Sequence, residues 1–378
     1  MDFELSDDQR ALRDAAVALL DDRCTTARVR QVADGPARLD ETLWAAMAEQ
    51  GWLAVELPEA MGGLGLGLVE TAVLGEQLGR HLAPVPFAGT VAAGRALARS
   101  LEEGGLAGAA PLGAARIGSW IERLGSGEAV GAVAWSRRPG ALEARADGAG
   151  DWVLSGRSDL VVYGPAADVV VVVARCDGAP ALFALAPAPA QRPAPEPAMD
   201  RTRTVGWLAL ADRAARRLGG PAAVEDLLDR AVTVACAEML GAAERVLEMT
   251  VEYAKDRVQF GRPIGGFQAV KHRCADMLVD VEGMRSATYY AAWAVGAADP
   301  DADAAASVAK VWCSDAARRV MASALQVHGG IGFTWEHDLH LFLKRSQLDQ
   351  TTFGDAVVHR QRLAGILRPR AEAGLPVL

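Results

Sequence analysis

Apolar positions along the chain recur with more than one period. In the first third the spacing is helical. "LSDDQRALRDAAVALLDDR" opens with Ser6 and carries Gln9 three residues on, a capping-box arrangement, while Asp7 and Asp8 complement the positive end of that helix. Leu12, Ala15, Ala16 and Leu19 follow at helical spacing. A second helix is predicted through "DETLWAAMAEQG" and closed by Gly51, and "LPEAMGGLGLG", with Pro58 and four glycines, is predicted as a loop. "VETAVLGEQLGRHL" resumes the helix until "APVPF" stops it.

From about Gly127 to Ala211 the pattern changes. Short apolar runs ("GAVAWS", "LEARADG", "DWVLSG", "SDLVVYG", "ADVVVVVAR", "ALFALAP", "VGWLALAD") alternate with Gly, Pro and Asp, as in a compact antiparallel β domain. "APAPAQRPAPEPAMD" reads as a surface connection inside it. After "RRLGGP", Pro221 suits a first helical turn, and long amphipathic segments at roughly 222–256, 267–297, 303–327 and 355–367 read as an antiparallel four-helix bundle. The predicted class is α+β: an N-terminal helical domain (1–116), a middle antiparallel β domain (117–218) and a C-terminal four-helix bundle (219–378).

Composition narrows the function. With 378 residues, 51% of them hydrophobic and 23% charged, the chain can bury a large core. A net charge of -9 argues against nucleic acid as the main partner, because phosphate neutralisation needs a basic surface. No apolar run is long enough to span a bilayer, and the acidic start "MDFELSDDQR" is not a secretory signal. Cys24, Cys176, Cys236, Cys274 and Cys313 are odd in number and scattered, which suits free thiols in a reducing cytoplasm.

Two segments hold the candidate chemistry. "RVQFGRPIGGFQAVKH" breaks a helical region with Gly261, Pro263, Gly265 and Gly266, and sets Arg257 and Lys271 around Phe260 and Phe267. "QVHGGIG" sets Gly329 and Gly330 where a backbone could approach a ligand without a Cβ in the way, although a Gly-Gly pair also ends ordinary helices. His328, His337 and His340, with Glu336 and Asp338, invite a metal reading. However, consecutive residues fan outward on a helix, and His337 with His340 do not close a site. A helix start after Thr334, with Glu336 in its first turn, explains the acids better, and no metal is expected.

The order helices, β domain, helices resembles the acyl-CoA dehydrogenase family, and several motifs agree. "GWLAVELPEAMGGLG" is similar to its early Gly-Trp…Pro-Glu…Gly-Gly-x-Gly segment. "RVQFGRPIGGFQAVKH" is similar to Arg-x-x-Phe-Gly-x-x-Ile-x-x-Phe-Gln, and "QVHGGIGFTWEHDLHLFLKR" to Gln-x-x-Gly-Gly-x-Gly-x-Thr-x-Glu. "LSGRSDLVVYGPAAD" is a weaker match to a strand pair of the middle domain.

The resemblance implies FAD as cofactor, outside any Rossmann site since no GxGxxG follows a strand. It implies that Arg257 meets the FAD pyrophosphate of a neighbouring subunit, as a planar charged fork suits a phosphate pair. Gln259, Phe260, Ile264, Phe267 and Gln268 would complete that contact. Gln326, Val327, Gly329 and Gly330 would hold the adenosine diphosphate end, and Asp355 would lie in a flavin-contacting turn.

The family's reaction removes an α-proton from an acyl-CoA thioester while FAD takes a β-hydride, so a carboxylate is needed near the α-carbon. At its commoner place in the family, before the Gly of "TTFGDAVVHR", this chain has Phe353. At the other place, directly before an arginine near the start of the bundle, it has Asp229 before Arg230, and Asp229 is the candidate base. Beside the flavin ring the family's hydroxyl-bearing segments are reduced to Ser136, with Leu160 and Val162 in place of an aromatic and a hydroxyl.

The resemblance thus implies an acyl-CoA dehydrogenase passing electrons to an electron-transfer flavoprotein. The alternative is a non-catalytic subunit of a heteromeric dehydrogenase, of the kind found among bacterial enzymes of sterol side-chain CoA thioesters, that completes its partner's FAD site. A homotetramer or heterotetramer is expected. A scaffold without ligands and a flavin oxidase of a non-CoA substrate are the remaining readings.

Overall fold

The computed structural model describes residues 4–104, 111–147 and 152–374. Helices α1 (Asp7–Arg23), α2 (Thr26–Asp34), α3 (Glu41–Glu49), α4 (Leu68–Arg80), α5 (Phe87–Glu102) and α6 (Pro111–Gly125) come first. Six strands follow: β1 (Gly131–Ala134), β2 (Leu142–Ala146), β3 (Trp152–Val162), β4 (Val169–Cys176), β5 (Ala179–Leu185) and β6 (Val205–Gly219). Then come α7 (Pro221–Asp256), a minimal hairpin of β7 (Val258–Gln259) and β8 (Arg262–Pro263), α8 (Gln268–Gly296), α9 (Ala302–His328), α10 (Leu339–Thr351) and α11 (Ala356–Glu372). The expected class and order hold.

Local rules set many boundaries. The Ser6 hydroxyl accepts from the Gln9 N–H at 3.2 Å and the Gln9 side chain accepts from the Ser6 N–H at 2.9 Å, so the capping box of α1 is formed. Gly51 follows α3 at φ 74°, and Pro221 opens α7. Other boundaries differ from the sequence reading. The runs "DWVLSG" and "SDLVVYG" form one strand, β3, because Gly156 (φ 119°) is absorbed at a register shift instead of ending the strand. The helix expected after Thr334 begins only at Leu339, so Glu336 lies before it in a turn. The last helix continues past 367 to Glu372.

The chain divides into two compact units. One comprises Gln31–Thr71 and Pro84–Ala231, the other Met1–Arg30, Ala72–Ala83 and Val232–Leu378.

The first unit is built around the sheet. β4 takes β1 and then β2 along one side, both parallel to it, and antiparallel β5 along the other. The succession β4-β2-β3-β6-β5 returns to β4, so five strands close into a ring and β1 extends β4. Within the mostly antiparallel domain these two parallel pairings are the departure from the sequence reading. Leu154, Val170, Val172, Phe183 and Leu208, all buried, fill the ring, and Trp152 tilts over Phe183 at 5.6 Å.

The second unit is the helical bundle. α4 meets α7 backbone to backbone: a Cβ on Gly79 would lie 2.0 Å from the Glu238 carbonyl oxygen, and one on Gly241 1.7 Å from that of Glu76. Only glycine fits either place. Beside this crossing Arg285 bridges Glu76 (2.5 Å) and Glu244 (2.6 Å), the Tyr289 hydroxyl donates to Glu76 at 2.5 Å, and Arg80 pairs with Glu248 at 2.6 Å. Such a network keeps the buried Glu76 carboxylate and its half-buried neighbours paired. α8 packs on α9, whose inner face is mostly alanine (Ala304, Ala305, Ala309, Ala316, Ala317, Ala324) and admits close approach.

Candidate functional site

The turn between α7 and α8 belongs to the helical unit. Asp256 ends α7, the Arg257 N–H donates to the Tyr253 carbonyl at 2.9 Å, and the chain reverses through Phe260 (φ 55°) and Gly261 (φ 76°). The Ile264 N–H donates back to the Arg257 carbonyl at 2.8 Å, and α8 opens at Gln268 without a side-chain cap. Its first N–H groups and positive end therefore face outward beside the turn. Phe260 is 91% exposed and meets Phe267 edge-on at 6.0 Å, and the Arg262 guanidinium lies 4.2 Å over the Phe267 ring. Arg257, Gln259 and Gln268 are exposed and Ile264 is half-buried. Arg257 makes no ion pair among the described residues.

The end of α9 lies against this element. The His328 ring stacks on Tyr253 at 4.5 Å and 19°, and the Tyr253 hydroxyl is 3.4 Å from the His328 carbonyl. Gly329 (φ 64°) and Gly330 follow, both exposed, and a Cβ on either would meet no atom within 4 Å. Gln326 is exposed and Val327 buried. Phe333 and Trp335, further on, are 70% and 62% exposed. Among the described residues no group of three or more His, Cys, Asp or Glu could hold a metal ion.

The turn between α10 and α11 holds Phe353 at φ 58° and Gly354 at φ 98°. His359 Nε2 donates to the Phe353 carbonyl at 3.0 Å, and Asp355 caps α11 by accepting from the N–H groups of Val357 and Val358, each at 3.0 Å. The side chain of Phe353 is half-buried, and burial pulls the His359 pKa down to about 4.

Asp229 and Arg230 lie in the other unit. Asp229 is 4% exposed. The Arg230 guanidinium pairs with Glu56 and, at 3.0 Å, with Asp226, which also meets Arg99 at 3.1 Å. Glu56 takes a second hydrogen bond from the Thr71 hydroxyl at 2.8 Å, and burial raises its pKa although Arg230 works against that. The Glu56–Arg230 pair had no signal in the sequence beyond an acid set among apolar residues in "LAVELP". Ser136 donates to Asp159 at 3.1 Å, and Leu160 stands opposite Trp207 on the neighbouring strand, 41% and 37% exposed.

The family description "Acyl-CoA dehydrogenase, N-terminal domain" matches residues 6–106, and "Acyl-CoA dehydrogenase, C-terminal domain" matches 219–367. The chain is 34% identical over 343 residues to acyl-CoA dehydrogenase IpdE2 of Mycolicibacterium smegmatis, covering 90% of this chain and 93% of that one. It belongs to the acyl-CoA dehydrogenase family. It is also 32% identical to acyl-CoA dehydrogenase FadE27 of Mycobacterium tuberculosis, over 96% and 98% of the two chains. Among solved structures it superposes on a variant of the Tcur3481-Tcur3483 steroid ACAD with a TM-score of 0.87 at 33% identity (97% and 99% covered). On the ChsE4-ChsE5 complex from Mycobacterium tuberculosis the TM-score is 0.86 at 31% identity, with both chains covered fully.

With the family comes FAD as cofactor, and the residues present fit it. An uncommitted guanidinium, an exposed helix N-terminus and two glycines facing open space suit a dinucleotide diphosphate. Exposed Phe260 is apolar cover of the kind an adenosine or flavin face takes. Asp355, in contrast, spends carboxylate capacity on its helix. The hydroxyl of Ser136 is likewise engaged, with Asp159.

Proposed function

We propose that this chain works as a subunit of an FAD-dependent acyl-CoA dehydrogenase assembly, with its helical, β and helical parts divided near 116/117 and 218/219. The assembly oxidises the α,β-bond of an acyl-CoA thioester and hands the electrons to an electron-transfer flavoprotein. The observation that carries this reading is the Tyr253–His328 stack, which joins the end of α7 to the end of α9 and so sets Arg257 and Gly329–Gly330 on neighbouring helix ends. In this reading Arg257 and the first turn of α8 hold the pyrophosphate, while Gln259, Phe260, Ile264, Phe267 and Gln268 line the nucleotide. Gln326, Val327, Gly329 and Gly330 hold the adenosine diphosphate end. FAD, when bound, supplies the acceptor for the β-hydride. Asp229 is the candidate to take the α-proton, with Arg230 held beside it by Glu56 and Asp226.

A second reading is favoured by Phe353. A phenyl ring cannot take a proton, and it occupies the place where the family's commoner base sits. The chain is then the non-catalytic member of a heterotetramer, completing the FAD site of an unlike dehydrogenase chain. The similarity to the Tcur3481-Tcur3483 steroid ACAD and to the ChsE4-ChsE5 complex supports it, and the steroid ACAD points to a bulky, ring-bearing acyl group. A cytoplasmic setting agrees with five free cysteines, and no helix among the described residues is long and apolar enough to cross a membrane.

The test is to purify the chain alone and after co-expression with a family member that carries the glutamate, then count flavin per chain and assay steroidal and straight-chain acyl-CoA esters. Turnover by the chain alone, abolished by Asp229→Asn, supports the first reading. Flavin and turnover only in the mixed assembly, indifferent to Asp229→Asn, support the second. Absence of flavin in both preparations removes both.

A further inference from the structure

His328 is buried (3% exposed) in the last turn of α9, and its contacts fix its chemical state. Nδ1 lies 2.9 Å from the Ala324 carbonyl oxygen, which can only accept, so Nδ1 carries the hydrogen and Nε2 is a lone-pair acceptor. Nε2 is itself buried and finds no partner among the described residues. His337 presents its ring edge-on at 4.7 Å, and burial lowers the pKa of both imidazoles, which favours their neutral forms. An unpartnered buried acceptor is costly, and a purely stabilising contact would be better served by a phenylalanine or leucine.

The ring's position offers a reason for keeping it. Tyr253, against which it stacks, is one helical turn before Arg257, and His328 is the residue immediately before Gly329. The backbone bond Nδ1–H···O=C locks the imidazole to α9, and the stack, together with the Tyr253 hydroxyl on the His328 carbonyl, locks it to α7. We propose that His328 and Tyr253 are positioning residues that set the separation between Arg257 and Gly329–Gly330, so that both act on dinucleotide diphosphate groups at a fixed spacing. This rests on the FAD reading above and adds to it a part for two residues that touch neither phosphate.

The experiment is a double-mutant cycle on the assembly as purified, stripped of flavin, with Tyr253→Leu, His328→Leu and both together. FAD is titrated by fluorescence, ADP is used as a competitor, and Tm is recorded without ligand. Each single variant is expected to weaken FAD and ADP in parallel by about tenfold, and the pair by little more than the stronger single, as for residues acting through one contact. His328→Phe, which keeps the stack but not the bond to Ala324, is expected to recover part of the loss. Single variants that lower Tm yet bind FAD within about twofold of wild type would show the stack to be a helix clamp and nothing more. Fully additive losses would overturn the shared role equally. A wild-type assembly that binds no FAD would take down the functional reading itself, an outcome distinct from either.

Discussion

The α7–α8 turn and the α10–α11 turn are built alike and used differently. Each holds a phenylalanine in the left-handed region, Phe260 at φ 55° and Phe353 at φ 58°, followed by a glycine that shares it. Around Phe260 the polar side chains look outward, and Arg257 is committed to nothing among the described residues. Around Phe353 they turn inward: His359 grips the carbonyl and Asp355 caps the next helix. One turn therefore leaves its polar groups facing outward, while the other commits them to the fold and carries a phenyl ring, which cannot take a proton. In the second reading proposed above, cofactor grip and proton removal are divided between unlike subunits, and the contrast between these two turns is what supports that division.

The sharpest way to test that contrast is Arg257→Ala, expected to weaken FAD binding by about a hundredfold in a titration, with Arg257→Lys between it and wild type, because a point charge replaces a planar fork. Stability should barely move. The inward-facing turn should answer to pH instead. The folded pKa of His359 is about 4, against an ordinary value near 6.5, so the unfolded chain binds the extra proton. The stabilisation is whole above about pH 6.5 and is lost as pH falls toward 4, by about 3 kcal/mol in all. Denaturation curves across that window should show the slope in wild type and in Arg257→Ala, and much less of it in His359→Gln. Asp355→Ala should cost about 1 kcal/mol of unfolding free energy at unchanged denaturant slope, as loss of a helix cap does. The smallest effect is expected from Phe260→Asn. Asparagine tolerates the left-handed region better, so Tm should hold or rise slightly while FAD affinity drops. If affinity stays put, Phe260 is idle and the two turns are less different than their surfaces suggest.

Much of the fold could be read from the chain because its rules are local. The Ser6–Gln9 box, the glycine after α3 and Pro221 at the head of α7 each act within a few residues. The misses have equally physical causes. α2 carries little sequence signal because only Val29 and Val32 mark its buried side with branched apolar residues. α10 begins at Leu339 and not just after Thr334, and because it buries His340, Arg345, Ser346 and Asp349 along with its leucines no apolar stripe marks its start. Gly156 reads as punctuation although β3 runs through it. In the candidate site, the turn and the Gly-Gly pair were legible as motifs. The contacts that organise them were not, since Glu56 meets Arg230 across 174 positions and Tyr253 meets His328 across 75. Charge and aromatic periodicity carry no record of such distant meetings.

The ring of strands around Phe183 has a consequence for how the polypeptide is made. β6 is the last strand of the ring to be synthesised, and it alone joins β3 to β5. Until residues up to Gly219 have left the ribosome, both of those strands expose a raw edge of unsatisfied peptide groups. A stalled or truncated nascent chain ending before Val205 would therefore be an open, sticky half-shell in need of a chaperone, whereas the finished chain has sealed that gap with the last strand of the ring.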